Sequence, residues 1–161
     1  MVSDGDTAPT FTAPLANGDL GEFDLETAID EEAPLVLAFF PGAFSGTCTN
    51  EMTAFQERLA AFEEAGGTVY GVSVDLPWSL NAFREKHGLA FDMISDTDKR
   101  LIEEWGLETD FASSGIYGIA KRAVFVVDGD GTLTYAWESP GPGIEPDYDE
   151  VIDAVRAAGQ D

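Results

Sequence analysis

Pro34-Leu35-Val36-Leu37-Ala38-Phe39-Phe40-Pro41-Gly42-Ala43-Phe44-Ser45-Gly46-Thr47-Cys48 is the stretch on which the fold turns. A continuous apolar run from Pro34 to Phe40 reads as a strand buried on both faces, because a half-exposed strand would alternate with polar residues. Pro41-Gly42 ends the run in a turn. From Cys48 the pattern becomes helical, with Met52, Phe55, Leu59 and Phe62 spaced as one core-facing stripe over residues 48–65. Gly66 is the expected stop.

Downstream, Thr68 to Val74 reads as a second buried strand. Pro77 suits the first turn of a helix running to about Lys86, with Gly88 just past its end. Phe91 to Ser95 reads as a short strand and residues 98–105 as a short helix ending at Gly106. Ala123 to Val127 and Leu133 to Trp137 are strands joined by the hairpin turn Asp128-Gly129-Asp130-Gly131. Upstream, residues 5–24 form a β-hairpin around Asn17-Gly18. Asp147 to Ala158 is the closing helix. The order is ββ, then βαβαβα, then ββα. Parallel βαβ units followed by a hairpin and a helix predict an α/β, thioredoxin-like α/β/α sandwich with an N-terminal β-hairpin. No boundary, repeat or linker divides residues 1–161, so one domain is expected.

Charge excludes some partners. Thirty-one acidic residues face eight Lys and Arg, for a formal net charge of −23, and only Lys86, Lys99 and Lys121 are lysines. Such a surface repels nucleic acid and anionic lipid. The acids are dispersed over a chain that is 44% hydrophobic, a combination similar to the proteins of salt-loving archaea. In about 1 M salt the Debye length falls to ~3 Å, and self-repulsion becomes tolerable. No apolar run approaches the ~18 residues of a membrane span. The first residues have no signal-peptide pattern, and a cytoplasmic protein is expected.

Cys48 is the one cysteine. That excludes an internal disulfide framework and a Cys-rich zinc site, which the single His87 does not rescue. A thiol at a helix start meets unpaired backbone N–H groups and the positive end of the helix dipole. Both favour thiolate, the reactive form.

Pro41-x3-Ser45-x2-Cys48 resembles the peroxiredoxin active-site signature, Pro-x3-Thr/Ser-x2-Cys. Gly5 to Phe11 looks like that family's N-terminal strand entry, Glu51 falls where it usually has Glu, and Arg122 to Asp128 resembles its catalytic-arginine strand. The likeness spans nearly the whole chain and is nearest to one-cysteine members of the alkyl hydroperoxide reductase E or bacterioferritin-comigratory type. It implies an antioxidant thiol peroxidase that needs no cofactor. Cys48 would attack peroxide, Arg122 would hold thiolate and peroxide, Ser45 would hydrogen-bond the peroxide, and Pro41 would shield the pocket. Glu51 would orient Arg122. Ser45 keeps the hydroxyl of the commoner Thr but loses the methyl that fixes its rotamer. The resemblance also suggests a homodimer or larger ring. With no second cysteine, the sulfenic acid needs an external thiol or a thioredoxin-like protein as reductant, unless Cys48 residues of two chains meet. A non-enzymatic redox sensor or holdase would use the same cysteine. A disulfide reductase is disfavoured by the missing Cys-x-x-Cys.

Blander readings apply elsewhere. His87 before Gly88 reads as a helix C-terminal residue. Asp128-x-Asp130-x-Thr132 hints at a calcium loop, but Ser139 stands where its twelfth-position Glu belongs, so a hairpin turn is expected. Phe44 and Trp78 are aromatics expected near the pocket, as core packing, pocket lining or a dimer contact. Acidic pairs such as Glu103-Glu104 read as solvated surface.

Overall fold

A computed structural model describes residues 1–159. Seven strands make one twisted sheet: β1 (Thr12–Ala16), β2 (Leu20–Asp24), β3 (Leu35–Phe39), β4 (Thr68–Ser73), β5 (Met93–Ser95), β8 (Ala123–Val127) and β9 (Leu133–Glu138). Their spatial order is β2-β1-β5-β4-β3-β8-β9. β3, β4 and β5 run parallel, while β8 lies antiparallel against β3 and β1 antiparallel against β5. The separate ribbon β6 (Glu108–Phe111) and β7 (Ile116–Ala120) is antiparallel.

The helices are α1 (Leu25–Glu32), α2 (Gly46–Glu57), α3 (Leu59–Glu64), α4 (Pro77–His87), α5 (Arg100–Glu104) and α6 (Tyr148–Ala158). They cover both faces of the sheet. Along β3, Val36 and Ala38 join one core with Met52, Phe55, Leu80, Phe83 and Val155. Leu35, Leu37 and Phe39 join the other core with Trp105, Phe125 and Leu25. This alternation of fully buried residues is what the unbroken apolar run of β3 required. The thioredoxin-like α/β sandwich read from the sequence is the observed fold.

Several elements differ from the sequence reading. The hairpin occupies residues 12–24 only; before it, Thr7 makes a single bridge to Thr132. The helix read as 48–65 starts earlier, at Gly46, and breaks at Arg58, where φ is −104° and ψ 7°. The core stripe survives the break: Met52, Phe55 and Phe62 are fully buried. α1 and the β6–β7 ribbon were not anticipated. Gly88 ends α4 in the left-handed region at φ 63°, and Gly66 closes α3 at φ 94°. The Asp128 carboxylate accepts from Asp130 N and Thr132 N at 2.9 and 3.0 Å, so the segment is the β8–β9 turn. Among the described residues no helix is long and apolar enough to cross a membrane.

Candidate active site

The β3–β8 pairing builds the site. Phe39 at the end of β3 is in register with Ala123 at the start of β8. The loop leaving β3 therefore runs beside Arg122, the residue just before β8. Ser45 is the extended residue preceding α2 (φ −70°, ψ 154°), and Cys48 is the third residue of that helix. The thiol lies where backbone N–H groups have no helical partner.

Arg122 Nη2 donates to Cys48 Sγ at 3.4 Å. Its Nη1 donates to Glu51 Oε1 at 2.6 Å. Nη2 and Nε also donate to the carbonyl of Pro142, at 3.0 and 3.3 Å. The guanidinium is thus held on three sides, and it is 3% exposed. Glu51 is fully buried, one turn after Cys48 on α2, and its Oε2 has no hydrogen-bond partner. Burial pushes its carboxyl up to about 7, against the opposing pull of Arg122. Burial works against the charge on Arg122, but Glu51 and Cys48 outweigh it and raise its pKa. The arginine stays a cation beside the sulfur.

Cys48 is buried at 1% exposure yet lines a cavity of about 570 Å³. Ser45, Thr47, Asp75 and Arg122 supply polar groups to its wall, and Val74, Phe111, Ile116, Ile119 and Pro142 supply apolar ones. Pro41 lines it as well. Ser45 Oγ donates to the Gly42 carbonyl at 3.0 Å, which leaves its lone pairs free toward other groups. The arrangement holds a nucleophile, a fixed cation and a hydroxyl around a space large enough for a small organic molecule.

The structure brings Pro41, Ser45, Cys48, Glu51 and Arg122 together. It does not bring Phe44 or Trp78 to the cavity. Trp78 is 65% exposed, on the side of α4 opposite Leu80 and Phe83, which point into the core. Phe44 adopts a left-handed φ of 70° and packs edge-on against Phe83 at 5.2 Å instead. His87 sits at the end of α4, with its ring 5.2 Å from Phe83. Sequence reading missed Asp75, Phe111, Ile116, Ile119 and Pro142. Asp75 carried a signal: it follows the C-terminal end of a buried parallel strand, where ligand sites of open α/β sheets gather.

A thiol at a helix start on a thioredoxin-like sheet, with an arginine clamped beside it, defines a thiol-dependent oxidoreductase site. The model of the AhpC/TSA family matches residues 5–136, and the chain belongs to that family, the peroxiredoxins, whose members are thiol peroxidases. Peroxiredoxin Q of Gentiana triflora chloroplasts is 31% identical over 160 residues, covering 98% of this chain and 68% of its own. A Mycobacterium tuberculosis relative assigned to the peroxiredoxins is 34% identical over 137 residues, 84% of each chain. The crystal structure of peroxidoxin BcpB from Mycobacterium tuberculosis superposes with a TM-score of 0.84 over 98% of each chain at 24% identity, which shows the shared fold.

Proposed function

We propose that this chain reduces hydrogen peroxide and organic hydroperoxides through Cys48. The observation that carries the proposal is the 3.4 Å contact between Arg122 Nη2 and Cys48 Sγ at the wall of the 570 Å³ cavity. The Cys48 thiolate attacks one peroxide oxygen. The S–O bond forms as the O–O bond breaks, sulfur is oxidised to sulfenic acid, and the departing oxygen takes a proton to leave as water or alcohol. Arg122 and the helix-start N–H groups stabilise that departing charge, Ser45 orients the peroxide, and Pro41 limits access of water. Glu51 fixes Arg122.

A magnitude supports these roles. An ordinary thiol with pKa about 8.5 is a few per cent ionised at neutral pH, so full ionisation gains only about 30-fold. A larger acceleration has to come from stabilising the leaving oxygen in the transition state.

Regeneration uses an external thiol or thioredoxin-like protein. A first thiol condenses with the sulfenic acid, releasing water and forming a mixed disulfide. A second thiol releases Cys48 and departs as the oxidised disulfide. The same reading takes the acidic, lysine-poor surface as an adaptation to molar salt, as in salt-loving archaea, and a reducing cytoplasm as the source of thiol. Exposed Phe44, Trp78 and Tyr117 supply apolar surface for a homodimer or larger ring.

Intact-mass measurement after stoichiometric peroxide tests the proposal. One added oxygen on the wild-type protein, absent in Cys48→Ser and removed by added thiol, is the expected result. Equal peroxide consumption by Cys48→Ser overturns it. A single oxidation that no thiol reverses favours a sensor instead.

A further inference from the structure

The cavity that holds Cys48 contains one carboxylate, that of Asp75. Its hydrogen bonds show what it holds. Asp75 Oδ2 accepts from Ala43 N at 2.8 Å and from the hydroxyl of fully buried Ser73 at 2.7 Å. Ser95 Oγ, at the end of β5, donates to the Asp75 carbonyl at 2.6 Å. Asp75 is thus tied to the ends of β4 and β5, and through Ala43 to the loop that leads into α2 and its thiol.

The Ala43 N–H belongs to the same planar peptide as the Gly42 carbonyl. That carbonyl accepts the Ser45 hydroxyl at 3.0 Å. One rigid plane therefore has Asp75 at one end and Ser45 at the other. The next residue, Phe44, is left-handed at φ 70°, a conformation that bulky residues hold only when the surroundings impose it. Ser45, the Gly42–Ala43 peptide and Asp75 form a continuous hydrogen-bonded chain in which each link polarises the next, and Ser73 donates to the same Asp75 oxygen and helps to hold it.

The geometry points to Asp75 as a positioning residue that sets the Ser45 hydroxyl by fixing the Gly42–Ala43 peptide plane. This inference rests on the reading of Ser45 as the hydroxyl that contacts peroxide. The carboxylate acts as an acceptor, and its charge is not required.

A double-mutant cycle tests it on the full chain, with two rates measured: oxidation of Cys48 by hydrogen peroxide, read by intact mass, and alkylation of Cys48 by iodoacetamide, which needs no hydroxyl partner. Asp75→Ala is expected to slow peroxide oxidation about tenfold or more while alkylation changes by less than about twofold. Asp75→Asn, whose amide oxygen still accepts, is expected to recover most of that loss. In a Ser45→Ala background, Asp75→Ala is expected to add almost nothing. Additive losses overturn the inference, as does an equal slowing of both reactions, which marks general damage to the site. A loss in Asp75→Asn as deep as in Asp75→Ala also overturns it. If Ser45→Ala alone leaves peroxide oxidation intact, the role given to Ser45 fails first, and this inference with it. Should Asp75→Ala not fold, Ser73→Ala removes one donor from the carboxylate; an expected loss of about threefold vanishes in the Ser45→Ala background, and its persistence there overturns the inference.

Discussion

Arg122 touches Cys48 and Glu51 with the two ends of a single guanidinium, Nη2 at 3.4 Å from the sulfur and Nη1 at 2.6 Å from the carboxylate. The sulfur and the carboxylate lie one helical turn apart on α2, so one cation from the residue just before β8 serves both. A flexible ammonium cannot reproduce that fork.

Arg122→Lys is therefore expected to lower the rate of peroxide oxidation about 100-fold or more, in line with the loss of one fixed transition-state donor. Rapid mixing with hydrogen peroxide, followed by quantification of sulfenic acid, measures it. Arg122→Ala is expected to destabilise the fold as well, by about 3–5 kcal/mol, because Glu51 is left buried without its partner. A lysine variant with wild-type oxidation rate removes the role given to Arg122.

Glu51 predicts a pH dependence of stability. Its folded carboxyl sits at about 7, against an ordinary value of 4.5. Between those values the folded chain keeps a proton that the unfolded chain releases, so this group's contribution falls as pH rises from about 4.5 to about 7. Glu51→Gln lacks that proton equilibrium. Denaturant melts of both proteins at pH 5 and pH 7.5 are expected to show the wild type losing ground to the variant at the higher pH. A pH-independent difference refutes the assignment.

Salt is the third test. Raising ionic strength from 0.1 to 1 M shortens the Debye length from about 10 to about 3 Å. With a formal charge of −23, the chain is expected to gain both melting temperature and peroxide oxidation rate over that range, the latter about threefold or more. The local contact between Arg122 and Cys48 is too short and too buried to be screened equally. Flat behaviour in potassium chloride argues against adaptation to high salt.

Gly88 gives a stability test away from the chemistry. Its left-handed φ of 63° ends α4, and an added Cβ meets no atom within 4 Å. Gly88→Ala should thus cost about 1–2 kcal/mol through backbone strain alone, with peroxide oxidation preserved. Thermal or urea melts measure the loss; an unchanged midpoint shows that the turn has another conformation available.

The fold was legible wherever local pattern and burial agree. β3, β4 and β8 are almost wholly buried, and their apolar runs announce it. Asn17-Gly18 and the Asp128 turn carry their own chemistry. α1 escaped because only Leu25 and Ala28 of its eight residues are buried and its acids blur the period. The β6–β7 ribbon escaped because it stands outside the main sheet, β6 alternates over only four residues, and the exposed apolar Ile116 and Tyr117 break the pattern of β7. The site was legible in part. Pro41, Ser45, Cys48 and Glu51 are close in sequence, and Arg122 opens an apolar strand. Asp75 was marked only by its place after a buried parallel strand; its partner at Ala43 lies 32 residues away, and only the β3–β4 pairing brings the two together. Trp78 misled because proximity in sequence to a site says nothing about the side of a helix on which a ring falls.

The register of β8 against β3 has a further consequence for engineering and descent. Ala123, Phe125 and Val127 fill one core while Val124 and Val126 fill the other, so a slip by one residue would exchange the two sets and carry the guanidinium away from the sulfur. Side-chain alternation in the middle of the molecule therefore calibrates chemistry at its edge. An insertion or deletion inside either strand silences the reagent even where every reactive group is retained, whereas length changes in the outer turns leave it in tune.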